Sequence, residues 1–475
     1  MNKFLKFLGF DGTKTTVKTE IIAGVTTFMT MVYILMVNAG MFSAIPGLSY
    51  GAAYIATAIG AIVGTLLMAF LAKMPLAQAP GMGVNAFIVF TLVAPFSSTP
   101  TGITFANCMM FTLLDGAIFV ILTVTGLRKQ IFEAIPASVR HAITVGIGLF
   151  IAFIGMQNAG IIVGNDSTLV TFVSFNLLAK NKSLMSMMTA AVAIFGVMLI
   201  AILEHKKVKG SILWGILGST VLYYVVLGLG VATGSESCKA VFEGISFSNP
   251  FAAFGDWGKE AVGKVFTEGF NFSDYTGTTG GLILLIATTA LSLCMIDMFD
   301  TIGTLYGACS KGNLLDENGV PLNMNRCMLA DAIATCVGAI GGTSTVTTFV
   351  ESTSGVAAGG KSGLTALTTA CCFILAMFLS PIAQLVPSCA TAAALIWVGV
   401  LMMNSVVKID WSNTIEAVVG FFTFIVMLLG YSISKGIGMG ILVYIFLNLC
   451  TGKVKDIKVP TWVIGVIYLA TFLLT

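Results

Sequence analysis

Long apolar stretches separated by short polar ones run along the whole chain. A stretch of about 20 apolar residues is long enough for a helix to cross a bilayer. The first half contains such stretches at roughly 20–43, 52–72, 102–126, 137–159, 184–204 and 210–233. The second half contains them at roughly 280–309, 326–342, 362–384, 387–406, 411–431 and 436–451. The polar stretch 234–279 separates the halves, and the short apolar stretch 459–475 follows the second.

Two further apolar segments, 75–95 and 343–360, are interrupted. The first contains Pro75, Pro80, Gly81 and Gly83, which prevent a regular helix until about Val84. The second is rich in threonine, serine and glycine up to about residue 349, which favours an extended strand, and a short helix is predicted from about Glu351. We therefore predict 14 segments in two sets of seven, with a short strand plus a half-helix at positions 3 and 10.

The two sets resemble each other at their segment starts. Three pairs occur in the same order: Gly102-Ile103-Thr104 with Gly363-Leu364-Thr365, Ile135-Pro136 with Val386-Pro387, and Lys209-Gly210 with Lys435-Gly436. Because seven is odd, the second set enters the membrane from the opposite side, which makes an inverted repeat. Inverted repeats with paired broken segments are typical of alternating-access transporters, whose substrate site lies near the bilayer midplane.

Composition supports a membrane location. The 475 residues are 57% hydrophobic and 9% charged, whereas soluble domains carry about 25% charged residues. With the N-terminus placed in the cytoplasm, 18 of the 24 Lys and Arg residues fall on the cytoplasmic side, as the positive-inside rule requires. We therefore expect a multi-pass protein of the cytoplasmic membrane, embedded in the lipid bilayer. The net charge of +3, without a basic patch, indicates no nucleic-acid partner.

Three acidic residues lie inside apolar segments: Asp297, Asp300 and Glu351. Each costs at least ~2.5–3.5 kcal/mol at membrane depth, so a functional role is the default interpretation. Asp297, Asp300, Thr301 and Thr304 share one helical face, which is predicted to line a cavity. Since close carboxylates in a low dielectric cannot all be ionised, at least one should carry a proton, as proton-coupled uptake requires. Asp331 and Asp115 are secondary candidates.

Aromatic residues near the broken segments, namely Tyr33, Phe87, Phe299 and Phe349, are placed to sandwich a flat ligand. The chain has only two histidines, which cannot build a metal site alone. The sequence therefore predicts neither a metal nor a cofactor.

Four motifs resemble the AzgA-like adenine/guanine/hypoxanthine permeases, relatives of the uracil and xanthine permeases. They are Glu20-Ile21-Ile22-Ala23-Gly24-Val25-Thr26-Thr27-Phe28, Ala79-Pro80-Gly81-Met82-Gly83-Val84-Asn85-Ala86, Asp297-Met298-Phe299-Asp300-Thr301-Ile302-Gly303-Thr304-Leu305 and Thr347-Thr348-Phe349-Val350-Glu351-Ser352. The resemblance covers essentially the whole chain and departs only at the tail after residue 458.

The resemblance implies a division into domains. It places the core domain at 1–134 and 280–385, and the gate domain at 135–233 and 386–452. The remaining parts are an extracytoplasmic polar loop, 234–279, and a C-terminal tail with a short apolar helix, 453–475. The fold is compatible with a homodimer formed through the gate domain.

The resemblance also implies proton-driven import of purine nucleobases, with the base held by Asp300, Glu351 and Asn85. Carboxylates accept hydrogen bonds from ring N–H groups, and an amide both donates and accepts. The predicted substrate-binding residues are Asp300, Glu351, Asn85, Asp297, Thr301, Phe349, Gly83, Phe87, Thr348 and Ser352. The predicted proton-coupling residues are Glu351, Asp300, Asp297 and Asp331.

Other functions fit the sequence less well. A different solute on the same fold, such as uracil or xanthine, remains open, and so does sodium instead of proton coupling. An intramembrane aspartyl hydrolase using Asp297 and Asp300 is disfavoured, because such a dyad should come from two helices. A channel or receptor is disfavoured by the inverted repeat with two broken helices. We therefore expect a transporter and no enzyme.

Overall fold

The computed structural model describes residues 3–93, 102–126, 135–165, 167–175, 184–244, 249–317 and 319–474. The elements of the first half are α1 (Lys3–Phe7), α2 (Val17–Met31), α3 (Tyr33–Phe42), α4 (Tyr50–Leu67), β1 (Gln78–Pro80), α5 (Met82–Ala86), α6 (Phe105–Val124), α7 (Ala137–Asn158), β2 (Ile162–Asn165), β3 (Leu169–Phe172), α8 (Leu184–His205) and α9 (Ser211–Ala232). Wider π-helical turns extend α4 over Met68–Ala72 and α5 over Phe87–Val93.

Three helices follow in the polar region: α10 (Glu236–Glu243), α11 (Pro250–Glu260) and α12 (Lys264–Thr267). The second half contains α13 (Thr279–Lys311), α14 (Met324–Gly341), β4 (Val346–Thr348), α15 (Ser352–Ala357), α16 (Gly363–Ala376), α17 (Ser380–Ala383), α18 (Ser388–Met402), α19 (Thr414–Leu429), α20 (Ile433–Cys450) and α21 (Val459–Leu474). Short 3-10 turns cover Met377–Leu379, Met403–Lys408 and Val454–Asp456.

Each predicted segment corresponds to an element of the structure. Within the described residues, 10 helices are long and apolar enough to cross a membrane. The other segments are the two broken ones, the less apolar α14 and the 16-residue α19. The predicted fold class, an all-α polytopic membrane protein with two broken segments, is confirmed.

Matching helix starts use matching chemistry in the two halves. The Thr104 hydroxyl accepts from the Asn107 N–H at the start of α6, and the Ser362 hydroxyl accepts from the Leu364 N–H at the start of α16. Pro136 immediately precedes α7, as Pro387 precedes α18. These starts pair the fourth and fifth segments of one half with those of the other.

The two broken segments meet at their strands. β1 and β4 pair antiparallel, with Gln78 opposite Thr348 and Pro80 opposite Val346. All six residues of the pair are buried. Two three-residue strands can remain extended at this depth because each supplies hydrogen-bond partners to the other, where lipid would supply none.

The helices pack in two groups. In the first, which we call the strand group, α2 and α4 pack on α16, α4 and α6 pack on α14, and α13 packs on α6, around β1 and β4. In the second, the frame group, α7 packs on α18 and α19, α8 packs on α9 and α18, and α19 packs on α20. A Cβ at Gly399 would lie 2.6 Å from the Gly148 carbonyl oxygen, so glycine lets α7 and α18 cross closely.

Two details differ from the sequence predictions. The last segment of the second half begins at Ile433 instead of about 436, because the Ser432 hydroxyl caps it by accepting from the Lys435 N–H. The polar region 234–279 contains helices α10–α12 in its described part. One of them, α11, packs on α4, and Glu260 accepts a hydrogen bond from the Ser49 N–H at 2.8 Å. The tail forms the predicted apolar helix, α21.

Candidate functional site in the crossing of the broken segments

Asp300 of α13 and Glu351 lie near each other where β1 and β4 pair, a place that we call the strand crossing. Glu351 follows β4 and immediately precedes α15. The Thr347 hydroxyl of β4 donates to Asp300 Oδ2 at 3.3 Å, and Glu351 lies four residues after Thr347 in the same segment. Both carboxylates are only partly buried, whereas Asp297 and Thr301 beside Asp300 are buried. Two acids 51 positions apart in sequence therefore lie on either side of β4, and neither is fully enclosed.

A tyrosine from the first segment bonds to the acidic cluster, the name that we give to Asp300 and Glu351. Tyr33 is buried, and its hydroxyl donates to Glu351 Oε1 at 2.6 Å. A bond from a hydroxyl to a carboxylate is charge-assisted and stronger than a neutral one. This bond leaves Oε2 of Glu351 available for another donor.

The first broken segment reaches the same place through its glycines. Gly81 precedes α5, and a Cβ there would lie 3.3 Å from Thr347 Oγ1 and 3.7 Å from Asp300 Oδ2. Gly83 instead faces the frame group, where a Cβ would lie 2.7 Å from Cγ2 of Ile147 in α7. The start of α5 thus lies beside the acidic cluster on one side and against the frame group on the other.

A cavity of about 520 Å³ leads from the surface to Glu351. Its outer part is lined by the exposed Lys207, Lys209 and Lys311, and its inner part by Glu351 and Thr30. Trp397 of the frame group forms part of the wall. The cavity therefore runs between the two groups and ends at one of the two acids.

Several other predicted residues belong to a buried network behind the strands. The Gln78 amide donates to Asp331 Oδ1 at 3.2 Å and to the Thr348 hydroxyl at 3.3 Å. The Thr301 hydroxyl donates to Asp331 Oδ2 at 2.9 Å. All four side chains are buried. The structure thus places Thr301, Thr348 and Asp331 together, joining three segments of the strand group.

Ser352 and Asn85 also bond to backbone or side chains of the strand group. The Ala77 N–H donates to the Ser352 hydroxyl at 3.0 Å, which ties α15 to the chain before β1. The Ser344 hydroxyl donates to Asn85 Oδ1. Among the described residues, the buried Nδ2 of Asn85 has no acceptor, so this amide retains two N–H donors.

The remaining predicted residues are buried in the same region. Asp297 lies one helical turn before Asp300 in α13, and the Thr345 hydroxyl donates to Asp115 Oδ2 at 3.3 Å. The rings of Phe87, Phe299 and Phe349 are at most 7% exposed. Phe349 lies between β4 and Glu351, and Phe299 precedes Asp300, so both rings flank the acidic cluster in sequence.

Sequence reasoning did not single out Gln78 or Thr347, and it treated Tyr33 only as an aromatic surface. Gln78 had one usable signal, since it is an amide between two prolines in a broken segment. Thr347 and Tyr33 had none, because their partners come from distant segments and only the fold brings them together.

Comparison with known proteins identifies the family. The family model described as the Permease family matches residues 18–439, which is most of the chain. The chain belongs to this family. The permease is 38% identical over 457 residues to the guanine/hypoxanthine permease PbuO of Bacillus subtilis, covering 96% of this chain and 97% of that one. It is 35% identical to the adenine permease AdeQ of Escherichia coli, covering 96% and 92%.

Solved structures show the same fold. The permease superposes on the transmembrane domain of the cyanobacterial bicarbonate transporter BicA with a TM-score of 0.60, covering 88% of this chain and 96% of that one. The sequence identity is 14%, so this likeness concerns the fold alone.

Proposed function

We propose that this permease imports purine nucleobases by proton symport across the cytoplasmic membrane. Its relatives PbuO and AdeQ are named for guanine, hypoxanthine and adenine. The observation that carries the proposal is the placement of Asp300 and Glu351 at the strand crossing, where Thr347 bonds to Asp300 and Tyr33 bonds to Glu351. Two acids within an otherwise apolar interior provide acceptors for ring N–H groups and a place for a proton.

The substrate would lie between the acidic cluster and the surrounding aromatic rings. A purine carries N–H groups on its edge and two apolar faces. Asp300 and Glu351 Oε2 would accept from the edge, and the Asn85 amide would donate to a ring nitrogen or carbonyl. Phe349 and Phe87 would contact the faces, and Gly83 would let α5 lie close to Ile147 of the frame group beside the site. Asp297, Thr301, Thr348 and Ser352 would then support the binding surface from behind.

Proton coupling follows from the same acids. When both carboxylates are ionised, their negative charges repel each other, and binding one proton removes this repulsion. The carboxylate that remains ionised can then accept a hydrogen bond from the base. Tyr33 would hold the Glu351 carboxylate in place through this change. Asp331 accepts hydrogen bonds from Gln78 and from Thr301 of α13. A change in the charge of Asp300, which is also on α13, would therefore be transmitted to Asp331 along this helix.

Alternating access would come from movement between the two groups. In this proposal the strand group would be the core domain, 1–134 and 280–385, and the frame group would be the gate domain, 135–233 and 386–452. The cavity at Glu351 reaches the surface beside Lys207, Lys209 and Lys311. By the positive-inside rule this side is cytoplasmic, as is the N-terminus, so the conformation would be the one that releases substrate to the cell.

Uptake of labelled adenine, hypoxanthine, guanine and uracil in cells lacking their own permeases tests the proposal. We expect saturable purine uptake that a protonophore and Glu351→Gln each abolish. Glu204→Gln is the matched control, because Glu204 lines the same cavity near its mouth and should retain most uptake. Saturable uptake of uracil without purines would instead support a different solute on this fold. No uptake by well-expressed, membrane-inserted protein would refute the proposed substrate.

A further inference from the structure

The C-terminal helix α21 lies along α20 in the opposite direction. A Cβ at Gly465 would lie 2.3 Å from Cδ1 of Ile445, and one at Gly438 would lie 2.5 Å from the Tyr468 ring. Residues later in α21 therefore contact residues earlier in α20, as expected for antiparallel helices. The two glycines let the helices approach closely, as is common between helices in membranes.

The exposed side of α21 is apolar throughout. Val459, Val463, Val466, Leu469 and Leu473 are 47–74% exposed and follow the spacing of one helical face. The 16 residues of α21 span about 24 Å, nearly the length of its neighbour α20. Lys453, Lys455 and Lys458 lie in the connection before it. An apolar face along a spanning helix is suited to lipid, whereas a helix lying on the membrane surface would need a polar face.

The inner side of α21 joins the two helix groups through hydroxyls. The hydroxyls of Ser292 in α13 and Ser434 in α20 are hydrogen-bonded at 2.7 Å. The Tyr468 hydroxyl is 2.9 Å from that of Ser292, and Tyr468 is 1% exposed. α13 also carries Asp300. These three hydroxyls, of Ser292, Ser434 and Tyr468, form what we call the junction. The junction connects the helix that carries a predicted site residue with the frame group.

We propose that α21 crosses the membrane as a fifteenth segment and that Tyr468 is a positioning residue, holding α13 against α20. An odd number of crossings puts the C-terminal end on the side opposite the N-terminus. Because Tyr468 packs on α20 while bonding to α13, movement of the strand group against the frame group must break the junction. The junction then favours the conformation whose cavity opens beside the lysines.

Reporter fusions on the full chain test the crossing. A green fluorescent protein and an alkaline phosphatase are each attached to the N-terminus and, separately, to the C-terminus. We expect fluorescence only from the N-terminal fusion and phosphatase activity only from the C-terminal one. Fluorescence from both ends would overturn the fifteenth crossing. This result does not depend on what the permease transports.

The positioning role, which rests on the alternating access proposed above, is tested by Tyr468→Phe. This change removes the hydroxyl and keeps the ring against Gly438. The readout is labelling of Ser354→Cys, a cavity position, by a membrane-impermeant thiol reagent in inside-out vesicles. The exposed Cys371 and Cys450 are replaced by serine beforehand. We expect labelling about 2- to 10-fold slower, the range that one lost hydrogen bond allows.

A second variant and a control make the test decisive. Ser434→Ala should slow labelling similarly, and the double variant should add little, because both remove the same junction. Tyr431→Phe should leave the rate unchanged, since the Tyr431 hydroxyl bonds to Gln157 within the frame group. KM for the base should stay within about 2-fold, because Tyr468 does not contact the acidic cluster. Unchanged labelling in Tyr468→Phe, or an equal effect of Tyr431→Phe, would overturn the positioning role.

Discussion

The Tyr33 hydroxyl donates to Glu351 Oε1 at 2.6 Å, joining the first segment to the second broken one. Because the bond fixes one carboxylate oxygen, it decides which oxygen faces the cavity. The backbone of Glu351 is also bonded to the first segment, since the Thr30 hydroxyl donates to the Glu351 carbonyl oxygen at 3.4 Å. The position of the carboxylate therefore depends on a residue more than 300 positions away in sequence.

Tyr33→Phe is expected to raise KM for the transported base by roughly 10-fold or more, because a hydrogen bond to a charged group contributes about 1.5–3 kcal/mol. Uptake kinetics at matched expression measure it. Tyr54→Phe is the control, since this buried hydroxyl donates to the Ala376 carbonyl away from the acids. Equal kinetics for Tyr33→Phe and wild type would show that the bond does not orient Glu351 for binding.

Gly83→Ala is expected to lower Vmax at least about 10-fold, because the new methyl would meet Ile147 across the two groups and overpacking costs about 1–3 kcal/mol. Adding Ile147→Ala should restore part of the uptake by removing the atoms it meets. Gly40→Ala is the control, since a Cβ there has open space. If the second change restores nothing, the contact with α7 is not the cause.

Gln78→Met is expected to destabilise the detergent-solubilised protein by about 1–3 kcal/mol, because it leaves buried Asp331 and Thr348 without the amide donor. Thermal unfolding measures the loss. Combined with Thr348→Val it should cost less than the sum of the single changes, since the two residues share a bond. Thr112→Val, whose hydroxyl bonds within its own helix, should add independently. Additivity of Gln78→Met and Thr348→Val would argue against the network.

Glu20→Gln is expected to lower thermal stability by about 1–3 kcal/mol. The buried Glu20 carboxylate accepts from the Lys361 N–H at 3.0 Å, the Ser362 N–H at 3.3 Å and the Thr365 hydroxyl at 2.5 Å. An amide has one acceptor oxygen instead of two, so at least one of these donors loses its partner. Glu243→Gln, at an exposed position, should leave the unfolding temperature unchanged. A similar unfolding temperature for Glu20→Gln and wild type would contradict this account.

The sequence by itself determined where the chain crosses the membrane. An apolar run of sufficient length has one favourable solution in lipid, a helix, whatever its neighbours are. Pro75, Pro80 and the threonine-rich run before Glu351 likewise determined where helices are interrupted, because these residues act on their own backbone. The predicted strands and half-helices therefore lie at their predicted places.

Only the tertiary structure decided which polar residues share a site. Asp300 and Thr301 are adjacent in sequence, yet Asp300 lies near Glu351 while Thr301 bonds to Asp331. The shared helical face of Asp297, Asp300 and Thr301 did not predict this division, because helical periodicity gives a direction but not the neighbour found there. The partners Tyr33, Gln78 and Thr347 come from other segments. The same reason applies to α21: its apolar composition predicted a helix, but only the tertiary structure shows that it packs on α13 and α20.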